Sequence, residues 1–162
     1  MALKPHMYTI AEDISYFVLT LTGTDTTTRM EKGGILCAGA SCSGLGQALD
    51  TAAQYAEYVT DPSGYVALGI LMQDFVNIDQ SRQQLNPYKE EAQIGTKCTI
   101  MRKGEVTTNK IVSTSATGTV PCTAYAGPSG LITHLASTGR PTIGKFMSRQ
   151  DSDGYARVYV DL

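Results

Sequence analysis

Polar and apolar residues alternate at the C-terminal end of the chain and predict a two-stranded hairpin over residues 141–162. Val158 and Val160 alternate with Arg157, Tyr159 and Asp161, the period of two that sets one face of a strand on a core. The sequence Asp-Ser-Asp-Gly at 151–154 predicts the turn, because Gly adopts positive φ without a steric cost. A terminal strand needs a sheet to hold it, so we expect this hairpin to complete a barrel or a sandwich.

The same pattern predicts further short strands along the chain. Residues 14–22 and 35–37 are apolar or β-branched runs, and hairpins are predicted over 54–76 around Asp-Pro-Ser-Gly and around Gly-Pro-Ser-Gly at 127–130. Two alternating strands are predicted about Lys103-Gly104-Glu105, and the polar segment 79–93 is expected to be an exposed connection. Roughly seven to nine short strands indicate a small barrel or sandwich.

Residues 45–59 fit two structures. Six residues fall at helical spacing, with Ser43 available as a cap: Leu45, Ala48, Leu49, Ala52, Ala56 and Val59. The alternation over residues 54–60, which runs directly into a turn sequence, favours a strand there instead. We therefore expect at most a short helical turn before the hairpin that starts near residue 54.

Length and pattern together predict a mainly β protein with one domain. A chain of 162 residues can bury one proper core but not two comfortable ones. We expect a single small β-barrel or sandwich of short antiparallel strands over residues 14–162, preceded by an extended N-terminal arm over 1–13. The residues predicted to be buried share apolar runs at strand spacing: Ile70, Met72, Ile100, Ile111, Val158 and Val160.

Composition narrows the classes of partner. Only 17 % of the residues are charged, against roughly a quarter in typical soluble domains, and the polar remainder is rich in Thr, Ser, Gly and Gln. Such a surface suits burial against other protein chains. The net charge of −2 argues against direct nucleic-acid binding, which needs a basic stripe. The N-terminal segment lacks the apolar core of a signal peptide, and no run is long enough to span a membrane.

The four cysteines are expected to be free thiols in a reducing compartment. Cys37, Cys42, Cys98 and Cys122 match no zinc-site spacing, and both histidines lie far from them in sequence. Neither a metal nor a cofactor is therefore expected.

Three short motifs resemble sites of chemistry, but none meets the requirements of such a site. The Gly-Ala-Ser-Cys-Ser-Gly stretch at 39–44 has Ser43 where a nucleophile elbow needs Gly. The turn at 151–154 lacks the downstream Glu of a calcium loop. Cys98 or Cys122 with His134 could form a nucleophile and base, but a Cys within an alternating strand is usually a small core residue. No catalytic residue is predicted.

Part of the chain resembles a known family. Residues 61 to about 111 carry an apolar strand ending in Gly-Ile-Leu-Met, an Asp-containing segment Val-Asn-Ile-Asp, a polar Asn-Pro link and a Lys-Gly stretch leading to Thr-Asn. This order, and the terminal hairpin, resemble small head decoration, or cement, proteins of tailed bacteriophages and cyanophages. The resemblance covers about half of the chain.

The resemblance implies a structural virion protein without catalytic residues. Its relatives are thought to form β-rich folds on the outer capsid surface, commonly as trimers, where they bridge subunits of the major capsid protein after assembly in the host cytoplasm. The expected partners are thus the major capsid protein and further copies of this chain, with no nucleic acid and no membrane. A cellular β-barrel interaction module is the alternative, and a Cys-dependent enzyme is a distant third.

The N-terminal arm is the predicted contact segment. Its apolar residues have no adjacent turn that would give them a partner within the chain, and a proline fixes an extended entry. We expect contacts with the capsid or with a neighbouring copy from Leu3, Pro5, Met7, Tyr8 and Ile10.

Overall fold

The computed structural model describes residues 10–19, 29–38, 55–76, 92–93, 97–112 and 119–162, and these residues form a mainly β structure, as the sequence predicts. Residues 45–53, most of the polar connection and Cys42 lie outside the described residues. The described strands are β1 (Ile10–Leu19), β2 (Arg29–Met30), β3 (Ile35–Ala38), β4 (Tyr55–Glu57), β5 (Ala67–Leu71), β6 (Phe75–Val76), β7 (Ala92–Gln93), β8 (Lys97–Thr108), β9 (Cys122–Ala126), β10 (Ile132–Thr133), β11 (Thr142–Phe146) and β12 (Ala156–Asp161).

Five strands pair in a ring. The order is β1, β4, β3, β5 and β8, and β8 pairs again with β1. All of these pairs are antiparallel except β1 with β4. A small separate sheet of β2, β6 and β7 adds Met30 and Phe75 to the same core. The first half of the chain therefore builds a small barrel.

The second half continues from the same long strand. β12, β11, β9 and β10 follow β8 in order across the sheet. The segment directly after β8 then returns to β10, because Ile132 N donates to Lys110 O at 2.8 Å and Val112 N donates to Ile132 O at 2.9 Å. This arrangement curls the second half into a further ring that shares β8 with the first.

Two cores lie on opposite faces of the shared strands. Leu36, Leu71 and Ile100 point into the first core, inside the five-stranded ring, whereas Ile35 and Ile70 point into the second core. Burial on both faces explains why β3 and β5 read as continuous apolar runs rather than alternating ones. Of the six predicted core residues, all but Met72 are buried, and Met72 packs half-buried against the second core.

The predicted turn at Lys103-Gly104-Glu105 is wrong, because β8 runs unbroken through it. Gly104 pairs with Ala11 on one side and with Val160 on the other. The strand changes face instead: Arg102 is an extra residue in β8 relative to β1, a bulge that reverses which face later residues occupy. A bulge allows one strand to serve both cores.

The predicted pairing within the hairpin over 54–76 is also wrong. The Asp-Pro-Ser-Gly turn forms, with Tyr65 N donating to Pro62 O at 3.1 Å, but β4 and β5 do not pair with each other. β3 lies between them, with Cys37 opposite Glu57 and Ile35 opposite Ile70. The connection over residues 58–66 is long enough to pass over β3. The turn therefore did not determine which strands pair.

Two predicted hairpins are confirmed. β9 and β10 pair around a 3-10 turn at Pro128–Gly130, and β11 pairs with β12. In the terminal hairpin, Asp151 Oδ1 accepts hydrogen bonds from Asp153 N at 3.1 Å and from Tyr155 N at 2.7 Å, and Gly154 has a φ of 85°. The acidic stretch is therefore a turn built by its own carboxylate.

The first strand begins earlier than the predicted boundary at residue 14. Ile10 pairs with Glu105 and Asp13 pairs with Lys103, so residues 10–13 have a partner within the chain. The expectation that the whole arm has no partner within the chain is wrong for residues 10–13. Strand pairing does not require an adjacent turn, because the N–H and C=O groups of an extended backbone can bond to a strand that is distant in sequence.

Candidate functional site

The structure places one of the five predicted contact residues. Ile10 starts β1, opposite Glu105. Leu3, Pro5, Met7 and Tyr8 lie outside the described residues. Their contact with a capsid or with a neighbouring copy stays a prediction.

The described thiols have environments that suppress nucleophilic chemistry. Burial, and secondarily the negative charge of Glu57, raises the pKa of Cys37 to about 12. Burial also raises the pKa of the half-buried Cys122, and Cys98 is fully buried in the first core. Because the thiolate is the reactive form, raised pKa values make Cys37 and Cys122 poor nucleophiles at neutral pH. Cys37, Cys98 and Cys122 are free thiols, as predicted.

The buried ring nitrogen of His134 makes no hydrogen bond to any thiol that the structure describes. Its Nδ1 atom is buried and has no hydrogen-bond partner among the described residues. A nucleophile and base pair requires a hydrogen bond between the thiol and the imidazole, or a base oriented by a third group. The described part of the chain also holds no group of three or more acidic, Cys or His side chains placed to bind a metal ion.

Several charges on the outer face of the second half are paired with one another. Arg157 donates to Glu105 across β12 and β8. Lys103 lies 3.8 Å from a Glu12 carboxylate oxygen and 3.7 Å from one of Asp161. Opposite charges paired in this way cancel locally, so these pairs do not themselves attract a charged ligand.

A different surface is nearly free of charge. Two turns, Thr60–Val66 and Leu135–Gly139, lie against each other, and we call them together the loop-pair rim. Ser63 Oγ donates to Thr138 O at 3.0 Å, and Gly64 N donates to Gly139 O at 2.9 Å. Asp61 is the only charged residue in the rim, and its carboxylate accepts a hydrogen bond from Ser63 N at 3.1 Å.

The rim exposes two large apolar side chains. Val66 is 66 % exposed and Leu135 is 49 % exposed, two of the four large hydrophobic residues that are exposed in the described chain. The backbone N–H of Leu135 donates to Thr133 Oγ at 3.1 Å. Val66 and Leu135 are therefore the large apolar side chains that the two turns of the rim present to solvent.

The rim rests on a buried tyrosine. Tyr58, which precedes it by two residues, donates its hydroxyl to Glu31 O at 2.7 Å, and Ser129 N donates to Val59 O at 2.8 Å. Burial raises the pKa of Tyr58 far above its usual range. These bonds join the base of the first turn to the residue after β2 and to the 3-10 turn, so the rim is tied to two other parts of the fold.

Sequence reasoning found the first turn of the rim but neither the second turn nor the rim itself. The Asp-Pro-Ser-Gly signal located the first turn, whereas no turn was predicted at residues 135–139. Their contact joins residues separated by 75 positions in the chain. No local pattern carries that information, because it depends on how the two rings pack.

Neither the models of known protein families nor the curated proteins give a match to this chain. No helix in the described residues has the length and apolar character required to cross a membrane.

Proposed function

We propose that this chain is a structural virion protein that decorates the outer surface of a phage capsid and stabilises it by bridging subunits of the major capsid protein. The proposal begins from the resemblance of residues 61 to about 111, and of the terminal hairpin, to small head decoration proteins. It includes assembly as a homo-oligomer, with a trimer favoured by the same resemblance. No direct contact with nucleic acid or membrane belongs to it.

The loop-pair rim is the observation that carries the proposal. A decoration protein needs a firm, neutral surface that can be desolvated against another protein without burying unpaired charge, because a buried unpaired charge is costly. The rim offers Val66 and Leu135 as apolar anchors, and hydrogen bonds join the two turns that carry them. Rigid anchors lose little entropy on binding.

Binding of this kind stabilises a shell by linkage. A protein that binds the expanded lattice, but not separated subunits, shifts the equilibrium toward the closed shell. At a free concentration one hundred times the dissociation constant, each site adds about 2.7 kcal/mol. Many copies that each bind weakly can therefore stabilise a particle without catalysing any reaction.

Binding to expanded capsids tests the proposal. Purified protein is incubated with capsids that lack it, and the bound fraction is measured by sedimentation. We expect saturable binding that the double variant Val66→Lys with Leu135→Lys weakens by at least about tenfold, because two charged side chains would be desolvated in the interface. Circular dichroism and thermal melting confirm that the variant folds.

A matched control separates the rim from general surface apolarity. Met147 is 45 % exposed and lies outside the rim, in the loop of the terminal hairpin. Met147→Lys should bind capsids as tightly as the unaltered protein. Folded protein that does not bind expanded capsids overturns the proposed function, and equal losses for both variants overturn the assignment of the rim.

A further inference from the structure

The first strand has one open edge. One edge of β1 pairs with β8 from Ile10 to Val18, whereas the other pairs with β4 only at Val18 and Leu19. Among the described residues, no strand covers that second edge over residues 10–17. An uncovered edge presents a row of backbone N–H and C=O groups that can pair with another strand.

The open edge extends beyond both cores. Ala11, Glu12, Asp13 and Ile14 are consecutive and all exposed. Successive residues of a strand point to opposite faces, so this part of β1 is uncovered on both faces as well as along one edge. Ile14 is 46 % exposed although its partner Met101 on β8 is buried.

Charge and a bulge restrict what can pair here. Glu12 and Asp13 make the edge acidic, and Glu12 is an extra residue relative to β8. Lys103 lies 3.8 Å from Glu12, but Asp13 has no ion-pair partner within the described residues. Bulges and acidic residues discourage indiscriminate strand addition, so a partner strand must bring a basic residue and tolerate the bulge.

We propose that this edge binds residues 2–9 of a second copy of the chain as an added antiparallel strand. These residues carry Lys4 and His6 and no acidic side chain. The register that sets Lys4 beside Asp13 also sets Leu3 beside the exposed Ile14 and Pro5 beside Glu12. Proline has no N–H to donate, and at sheet edges it is found where a ladder bond is not needed, as beside a bulge.

Within one copy this strand has no favourable route. In the register given, residues 2–9 could return along β1 only through a two-residue turn at Tyr8-Thr9. Such turns need residues that readily adopt positive φ, such as Gly, Asn or Asp, and neither residue is of that kind. The arm of each copy therefore lies on the next copy, an exchange that can close in a dimer or in a trimer.

A mixing experiment tests the pairing directly. Two proteins are prepared with Cys42→Ser and Cys122→Ser, one also carrying Leu3→Cys and the other Ile14→Cys. Oxidation should cross-link the two only when they are mixed, because Leu3 and Ile14 lie side by side between copies. Absence of the cross-link in folded, mixed protein overturns the proposed register, whereas Leu3→Cys cross-linking to Lys145→Cys on β11 as efficiently would show that contact is unspecific.

Charge exchange gives an independent measurement. Lys4→Glu should raise the dissociation constant of the oligomer about tenfold, measured by analytical ultracentrifugation, because like charges then oppose each other. Adding Asp13→Lys to the same chain should restore assembly. Lys145→Glu, which makes the same change in net charge on exposed β11, should have no effect.

The arm can also be removed. Deletion of residues 2–9 should leave a folded monomer. A wild-type protein that is monomeric at all concentrations, or a deleted protein that assembles as well as the full chain, overturns the inference. These measurements use no capsid. Their failure would remove the homo-oligomer from the proposed function and leave capsid binding standing, whereas failure of capsid binding would leave the exchange of arms standing.

Discussion

The ring of Tyr58 packs directly on the backbone of Gly130. A Cβ atom added to this glycine would lie 2.5 Å from Cδ1 of the tyrosine, and Gly130 has a φ of 76°. The hydroxyl of Tyr58 packs against Gly34 in the same way, since a Cβ atom added to Gly34 would lie 2.6 Å from the hydroxyl oxygen. The two glycines leave space for one large aromatic residue between the halves of the molecule.

Replacing Gly130 with alanine should destabilise the fold by about 3 kcal/mol. The left-handed conformation costs an L-residue about 1–2 kcal/mol, and the clash with Tyr58 adds a packing cost of similar size. Gly64→Ala is the matched control, because Gly64 has a φ of 80° and open space around it. Urea unfolding should give a loss of only about 1 kcal/mol for the control. Equal losses would show that the contact with Tyr58 is unimportant.

Val160→Asp should cost on the order of 4 kcal/mol, since Val160 is fully buried between β8 and β11 and an aspartate there would be desolvated without a partner. The neighbouring Asp161→Asn is exposed and should change the free energy of unfolding by less than about 0.5 kcal/mol. Thermal melting checks both. An unchanged melting temperature for Val160→Asp contradicts the position of β12 in the second core.

Alkaline pH should weaken the fold through Cys37. Its thiol keeps a proton to about pH 12 when folded but loses it near pH 9.0 when unfolded, so the folded state binds more protons in this window and the free energy of unfolding falls as pH rises. The stability contribution is complete below pH 9.0. Urea unfolding from about pH 8.5 to about pH 10.5 should show a decline about 2 kcal/mol larger for the wild type than for Cys37→Ala.

Parallel declines in the two proteins would contradict the buried position of the thiol. The raised pKa of Tyr58 acts in the same direction at higher pH, but it is common to both proteins and cancels in the comparison.

Thiol accessibility should follow burial. In a Cys42→Ser background, a thiol reagent should label Cys122 first, whereas Cys37 and Cys98 should react only on unfolding. Mass spectrometry of the labelled peptides gives the order. Reducing agent should leave stability unchanged, and early labelling of Cys98 would place it outside the first core.

The parts of the fold that sequence predicts are those set by local chemistry. The terminal hairpin follows from alternation and from an Asp-Gly turn whose carboxylate caps its own backbone. The hairpin around residues 127–130 follows in the same way. In both, the two strands are neighbours in sequence, so the pairing is fixed by residues that the turn itself brings together.

The errors share a different cause. Gly104 resembles a turn residue, yet it lies in a continuous strand because Val160 and Ala11 pair with it from distant parts of the chain. β3 enters between β4 and β5 for a reason of the same kind, since Ile35 and Leu36 fill two separate cores. Long-range pairing decided these positions. Local sequence signals carry no information about long-range pairing. The loop-pair rim could not be predicted for the same reason.

The shared strand β8 gives the molecule a distinctive response to load. Around residues 103–105, β8 is bonded to β1 on one edge and to β12 on the other. A pull along β8 acts on both rows of hydrogen bonds in shear, so they must break together rather than one by one as in peeling. Tension entering one ring passes to the other through a single covalent backbone, without crossing a flexible hinge.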